Sequence, residues 1–156
     1  MGAEEMQSAD TAVLEGPCFA TTVRVAFGDC DPANIVYFPN FYRWFDQATH
    51  DLCEAAGYEL TQVRRDRDWL GFPLAEAGAR FLRPATINDR LRVETRIRLW
   101  RPKMFLLDHC IRRDGEVLVQ GWQTRFIGVR LPEQGGRLAA LPIPCDFRQA
   151  LDRMMT

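Results

Sequence analysis

Two carboxylates, Asp29 and Asp31, sit one residue apart in Phe27-Gly28-Asp29-Cys30-Asp31-Pro32-Ala33-Asn34-Ile35-Val36-Tyr37-Phe38-Pro39-Asn40-Phe41. The first half of this segment is dense in turn formers. An apolar helical pattern begins within about ten residues of the pair. A helix start presents unpaired N–H groups and partial positive charge, which can polarise a carbonyl and hold a developing oxyanion. A nearby carboxylate can attack that carbonyl or activate water to do so. Such spare equipment suits a thioester. A free aspartate, with a pKa near about 3.9, is already ionised at neutral pH. A thiol leaving group, with a pKa near about 8.5, departs with little help from an acid. An amide would need its amine protonated as it leaves. By residue type alone, however, Asp-x-Asp in a loop is more often turn chemistry and helix capping.

The elements around the segment follow from periodicity. Thr21 to Phe27 alternates as a half-buried strand. From Asn40, the residues Phe41, Trp44, Phe45, Ala48, Leu52 and Ala55 form one continuous helical stripe, and Gly57 supplies the stop. That helix spans about 17 residues, roughly 25 Å. Thr61 to Asp68 is a polar, Arg-rich connection with room for a short second helix. Strands are expected over Phe72–Leu82, Arg90–Trp100, Lys103–Arg112 and Glu116–Val129, with a hairpin at Asp114-Gly115 and a turn at Gln134-Gly135-Gly136. In Arg90–Trp100, Leu91, Val93, Thr95, Ile97 and Leu99 point one way, and Arg92, Glu94, Arg96 and Arg98 point to a wet face. Leu141-Pro142-Ile143-Pro144 leads to a short C-terminal helix. One long helix against one antiparallel sheet is an α+β arrangement.

The segment from Phe27 to Phe41 resembles the motif of the 4-hydroxybenzoyl-CoA thioesterase family of the hotdog fold. Trp44-Phe45-Asp46, Phe81-Leu82-Arg83-Pro84, Asp89-Arg90-Leu91-Arg92-Val93, Trp100-Arg101-Pro102-Lys103 and Ile143-Pro144-Cys145-Asp146-Phe147 resemble its later segments in order, over roughly residues 19–150. The resemblance implies an antiparallel sheet wrapped around one long helix and hydrolysis of an acyl-CoA ester, with an aromatic, hydroxybenzoyl-type acyl group. It implies that Asp31 is the nucleophile or general base and that the Phe38 backbone N–H is the oxyanion donor. Asp46 then lies near the acyl ring, Arg101 and Lys103 meet the CoA phosphates, and Asp29 shapes the loop. No cofactor is implied, since CoA is part of the substrate. A homo-oligomer, a dimer or dimer of dimers, is expected, which would also protect sheet edges. Four departures stand out: Asn34 where the family usually has Gly, Phe38 for a Tyr, Pro102 within the basic run, and Thr61 and Phe72 where ring contacts are expected. They keep two alternatives open: a short- or medium-chain fatty acyl-CoA thioesterase of the Tol–Pal-associated type, and a non-catalytic acyl-CoA-binding module. A hydratase ranks last, because its Asp/His pair is not evident.

Composition bounds these readings. The chain has 156 residues, 47% of them apolar, and a net charge of −1, so no nucleic-acid or membrane partner is indicated. Residues 1–60 hold two arginines against ten acidic side chains, and residues 61–156 hold 18 cations against 11. Lys103 is the only lysine. Residues 1–17 read as a flexible acidic tail and 18–156 as one domain. The five cysteines are odd in number and widely spaced, with no C-x-x-C pair. They fit reduced thiols in a cytoplasm better than a metal centre or disulfide framework. His50 reads as a surface residue and His109 as a hydrogen-bonded sheet histidine.

Overall fold

The computed structural model describes residues 15–156; most of the expected acidic tail lies outside them. Strand β1 (Phe19–Arg24) leads through a short 3₁₀ turn (Phe27–Asp29) and the motif loop into helix α1 (Pro39–Ala55) and helix α2 (Leu60–Arg67). Strands β2 (Leu74–Phe81), β3 (Arg90–Trp100), β4 (Phe105–Arg113) and β5 (Glu116–Arg125) follow. The chain ends with β6 (Ile127–Leu131), β7 (Arg137–Leu141) and helix α3 (Cys145–Asp152). The main sheet is antiparallel with order β1-β3-β4-β5-β2, so β1 and β2 are its edges. α1 packs on one face of it, the arrangement expected of a hotdog fold.

Three details differ from the sequence expectation. The first strand ends at Arg24, and Phe27 turns outward to 85% exposure. As the sequence allows, the polar connection forms a short second helix, capped at its start by Glu59 and closed by Asp68 in a left-handed conformation. The last long strand is two: the chain bends at Phe126, and β6 leaves the main sheet to pair with β7. A register shift between Ile97 and Leu99 turns Leu99 out to 45% exposure. The expected wet face of β3 is also less wet than its sequence suggests. Glu94 is buried beneath Arg92, Arg96 and Arg112, at 3.1, 3.1 and 3.3 Å. Burial alone would raise the Glu94 pKa, but the guanidinium groups prevail and hold it below the ordinary value.

The core is divided. Phe41, Trp44, Phe45 and Ala48 of α1 pack with Leu91, Val93, Ile111 and Val119 near the motif loop. Leu52 and Cys53 pack with Phe105, Leu107, Ile127 and Phe147 at the other end. Between them lies a buried polar layer of Thr49, Thr95, His109 and Gln123. His109 stacks on Phe45, with ring centroids 4.8 Å apart. Phe45 reaches the sheet because position 121 is glycine: a Cβ there would lie 2.3 Å from the Phe45 ring. Among the described residues, no helix is long and apolar enough to cross a membrane.

Candidate active site

The motif loop is a miniature hairpin. The Asp31 N–H donates to Ile35 O (2.9 Å), and the Tyr37 N–H donates to Asp29 O (2.8 Å). A bridge between Cys30 and Val36 joins the two arms. Asn34 closes the tip with φ 64°, the left-handed conformation that Asn tolerates. The tip is docked on the β2–β3 connection by Ile35 opposite Thr86 and by Val36 N–H on Ala85 O (2.8 Å).

Within that frame the two aspartates have distinct surroundings. One Asp29 oxygen accepts from the Ala26 N–H (2.8 Å), and the other pairs with Arg43 (2.8 Å). Asp29 is thus a loop-forming residue, as the resemblance implies. Asp31 accepts from the Ala33 N–H (2.8 Å), which fixes one carboxylate oxygen. It lines a cavity of about 560 Å³ with Phe27, Gly28, Cys30, Pro32, Asn34 and Ile87. Cys30 Sγ lies 3.8 Å from Ala26 O, a structural contact within the loop.

The start of α1 has one spare donor. The N–H groups of Val36, Tyr37, Asn40 and Phe41 bond to Ala85, Asp29, Tyr37 and Phe38 carbonyls, and Pro39 has none. The N–H of Phe38, the N-cap, meets no acceptor among the described residues. Its ring is 55% exposed and packs edge-on against Phe81. Phe38 lines a groove of about 210 Å³ with Val36, Phe41, Phe81 and Leu82, next to the Asp31 cavity rather than inside it.

Asp46 lies eight residues beyond Phe38, about 12 Å along α1, on the row Phe38–Tyr42–Asp46–His50 that flanks edge strand β2. Tyr42 touches Phe81, and His50 touches Phe72. The Asp46 carboxylate is held by Arg125 of β5, whose side chain is 3% exposed (2.5 Å). The sequence reading missed Arg125. Its signal was the inward alternation Val119, Gly121, Gln123, Arg125, which carries two polar side chains into the core.

The other expected residues stand apart. Arg101 and Lys103 occupy the β3–β4 hairpin, at the far end of β3 from the motif loop. An eleven-residue strand spans roughly 33 Å, so one chain does not bring them to its own Asp31. Phe72 is buried in the second apolar cluster, and the Thr61 N–H and hydroxyl donate to the Glu59 carboxylate that caps α2. His109 is fully buried, with Nδ1 3.0 Å from Thr95 Oγ1 and Nε2 3.1 Å from Gln123 Oε1. His50 is partly buried beside the Asp46 carbonyl. Among the described residues no group of His, Cys, Asp or Glu is arranged to hold a metal ion.

The sequence matches the family described as the Thioesterase-like superfamily over residues 25–151. It is 34% identical to the 4-hydroxybenzoyl-CoA thioesterase of Pseudomonas sp. (strain CBS-3) over 132 residues, covering 80% of this chain and 90% of that protein. It is 32% identical to the 1,4-dihydroxy-2-naphthoyl-CoA hydrolase of Thermosynechococcus vestitus over 126 residues, covering 81% and 86%. The fold superposes with a TM-score of 0.80 and 29% identity on a crystal structure of a 4-hydroxybenzoyl-CoA thioesterase variant complexed with 4-hydroxybenzoyl-CoA, covering 87% of this chain and 99% of that one.

Proposed function

The chain belongs to the thioesterase-like superfamily as a hotdog-fold acyl-CoA thioesterase, and we propose that its acyl group is aromatic and hydroxylated, with Asp31 and the Phe38 N–H as the reacting groups. The observation that carries this reading is the uncommitted Phe38 N–H at the start of α1, next to a loop that orients the Asp31 carboxylate. The thioester carbonyl accepts the Phe38 N–H, which stabilises the charge as it moves onto oxygen. As general base, Asp31 takes a proton from a water whose oxygen attacks the carbonyl carbon, and CoA leaves as thiolate. As nucleophile, Asp31 itself displaces the thiolate, and water then hydrolyses the mixed anhydride to acid and aspartate. Both routes give a carboxylic acid and free CoA.

The names of the similar proteins support an aromatic acyl group, since 4-hydroxybenzoyl-CoA and 1,4-dihydroxy-2-naphthoyl-CoA are both hydroxylated aryl esters. Asp46 serves as the polar contact for the ring. Arg101 and Lys103 bind CoA phosphates in the site of another subunit, a placement supported by their distance from this chain's own Asp31. A homo-oligomer fits the open edge of β2, where Leu74 and Phe81 are exposed. A fatty acyl-CoA is the second reading, favoured by the apolar groove of Val36, Phe38, Phe41, Phe81 and Leu82. Thiol release across a panel of aryl and fatty acyl-CoA esters separates the two. Asp31→Asn should abolish turnover; full turnover by that variant would refute the assignment.

A further inference from the structure

Arg125 is unusual in where its charge goes. Its guanidinium is almost wholly buried, and all three nitrogens are committed: Nε to Gln123 Oε1 (3.1 Å), Nη1 to the Phe72 carbonyl (2.8 Å) and Nη2 to Asp46 Oδ1 (2.5 Å). Two neutral acceptors on the sheet side therefore fix the plane of the fork, and its third prong fixes the carboxylate. Gln123 is itself held, since its Oε1 also accepts from Thr49 Oγ1 (2.9 Å) and His109 Nε2 (3.1 Å). A continuous chain of contacts thus runs from Thr95 through His109, Gln123 and Arg125 to Asp46. It begins in the core and ends on a side chain that is 55% exposed.

The two oxygens of Asp46 are used unequally. Arg125 meets Oδ1, and His50 Nδ1 lies 3.7 Å from the same atom. Oδ2 has no partner among the described residues. A buried arginine held against a half-exposed carboxylate is a poor way to gain stability, because apolar replacements of such pairs often do as well or better. It is an effective way to hold an acceptor still before a ligand arrives. We infer that Arg125 is a positioning residue that locks Asp46 with Oδ2 aimed outward, so that the enzyme selects acyl groups carrying a hydroxyl donor on the ring. This rests on the reading above that Asp46 lies against the acyl group, and deepens it. A methylene chain has no donor to offer Oδ2, and an unsubstituted ring would leave the oriented carboxylate desolvated and unpaired.

The test compares kcat/KM for 4-hydroxybenzoyl-CoA and benzoyl-CoA. The wild type should favour the hydroxylated ester, and Asp46→Asn and Arg125→Met should each lower that ratio by about tenfold or more. Combining them should lower it no further, since they break one contact chain. A general folding defect depresses both esters together and leaves the ratio in place. Should Arg125→Met not fold, Arg125→Lys decides: it keeps the buried cation without the three-pronged fork, and the ratio should still fall. An unchanged ratio in Asp46→Asn, or in the folded Arg125 variant, overturns the inference while aryl-CoA turnover by the wild type upholds the proposed function. A wild type that hydrolyses neither aryl ester overturns both.

Discussion

Acidification from pH 7.5 to 4.5 should cost this protein roughly 2–3 kcal/mol through His109 alone. Burial strips the ring of water and pulls its pKa from 6.5 down to about 4, with Arg125 adding to the fall and Gln123 and Asp46 opposing it. The unfolded chain binds a proton below about 6.5, whereas the folded chain resists one until about pH 4. The contribution is therefore complete above the unfolded value and is lost progressively as pH falls toward 4. Gln123 Oε1 can only accept, so Nε2 carries the single ring proton and Nδ1 accepts from the Thr95 hydroxyl. A second proton would face Thr95 and set a new cation near buried Arg125. The assay is urea unfolding of the wild type and His109→Gln at several pH values between 7.5 and 4.5. The variant should be less stable at pH 7.5, and the gap should narrow by roughly 2–3 kcal/mol at pH 4.5, or about 5–10 °C in Tm. Acid also weakens the contributions of Glu94, Asp89 and Asp146, whose carboxyls are held low in the fold, but both proteins share that loss. Parallel stability profiles would refute the reasoning.

Three further outcomes follow from the geometry. Gly121→Ala drives a Cβ to 2.3 Å from the Phe45 ring, so urea titration should show a loss of about 1–3 kcal/mol. Asn34 holds φ 64° at the tip of the motif loop, so Asn34→Gly should keep kcat, while Asn34→Val should lower it and cost about 1–2 kcal/mol. Reversing charge at Arg101 and Lys103 together should raise KM for CoA esters severalfold with kcat largely retained, as expected where ground state and transition state share a contact; steady-state kinetics at fixed ionic strength checks this.

Periodicity carried much of the fold. The stripe from Phe41 to Ala55 is α1, and the alternation from Arg90 to Trp100 is β3 to the residue. What it could not carry was local breaks in register. Nothing in Glu116–Val129 marks Phe126 as the point where the chain changes sheets, because no Pro, Asn or Asp interrupts the run from β5 into β6. Nor does the run Arg96-Ile97-Arg98-Leu99 reveal the shift that exposes Leu99. At the site, the motif loop was legible because Asp, Pro and Asn have narrow conformational roles. The Arg125–Asp46 contact was not, since it joins residues 79 apart through packing between helix and sheet. The charge alternation on β3 suggested a solvated face for a similar reason: sequence shows the arginines, but not that two of them converge with Arg112 of β4 on Glu94.

The buried polar layer has a mechanical consequence for α1. A helix lying in a uniformly apolar trough can slide by one turn, about 5.4 Å, and still bury its stripe. Here a one-turn slip would take the Thr49 hydroxyl away from Gln123 and bring Phe45 or Leu52 into its place. The groups so stranded would each cost about 1–3 kcal/mol. The helix consequently has a single seat along the sheet. Since Phe38 caps its start and the motif loop is tied to Ala85 and Thr86, that seat also indexes the proposed oxyanion donor against the strands, from a point some three turns away.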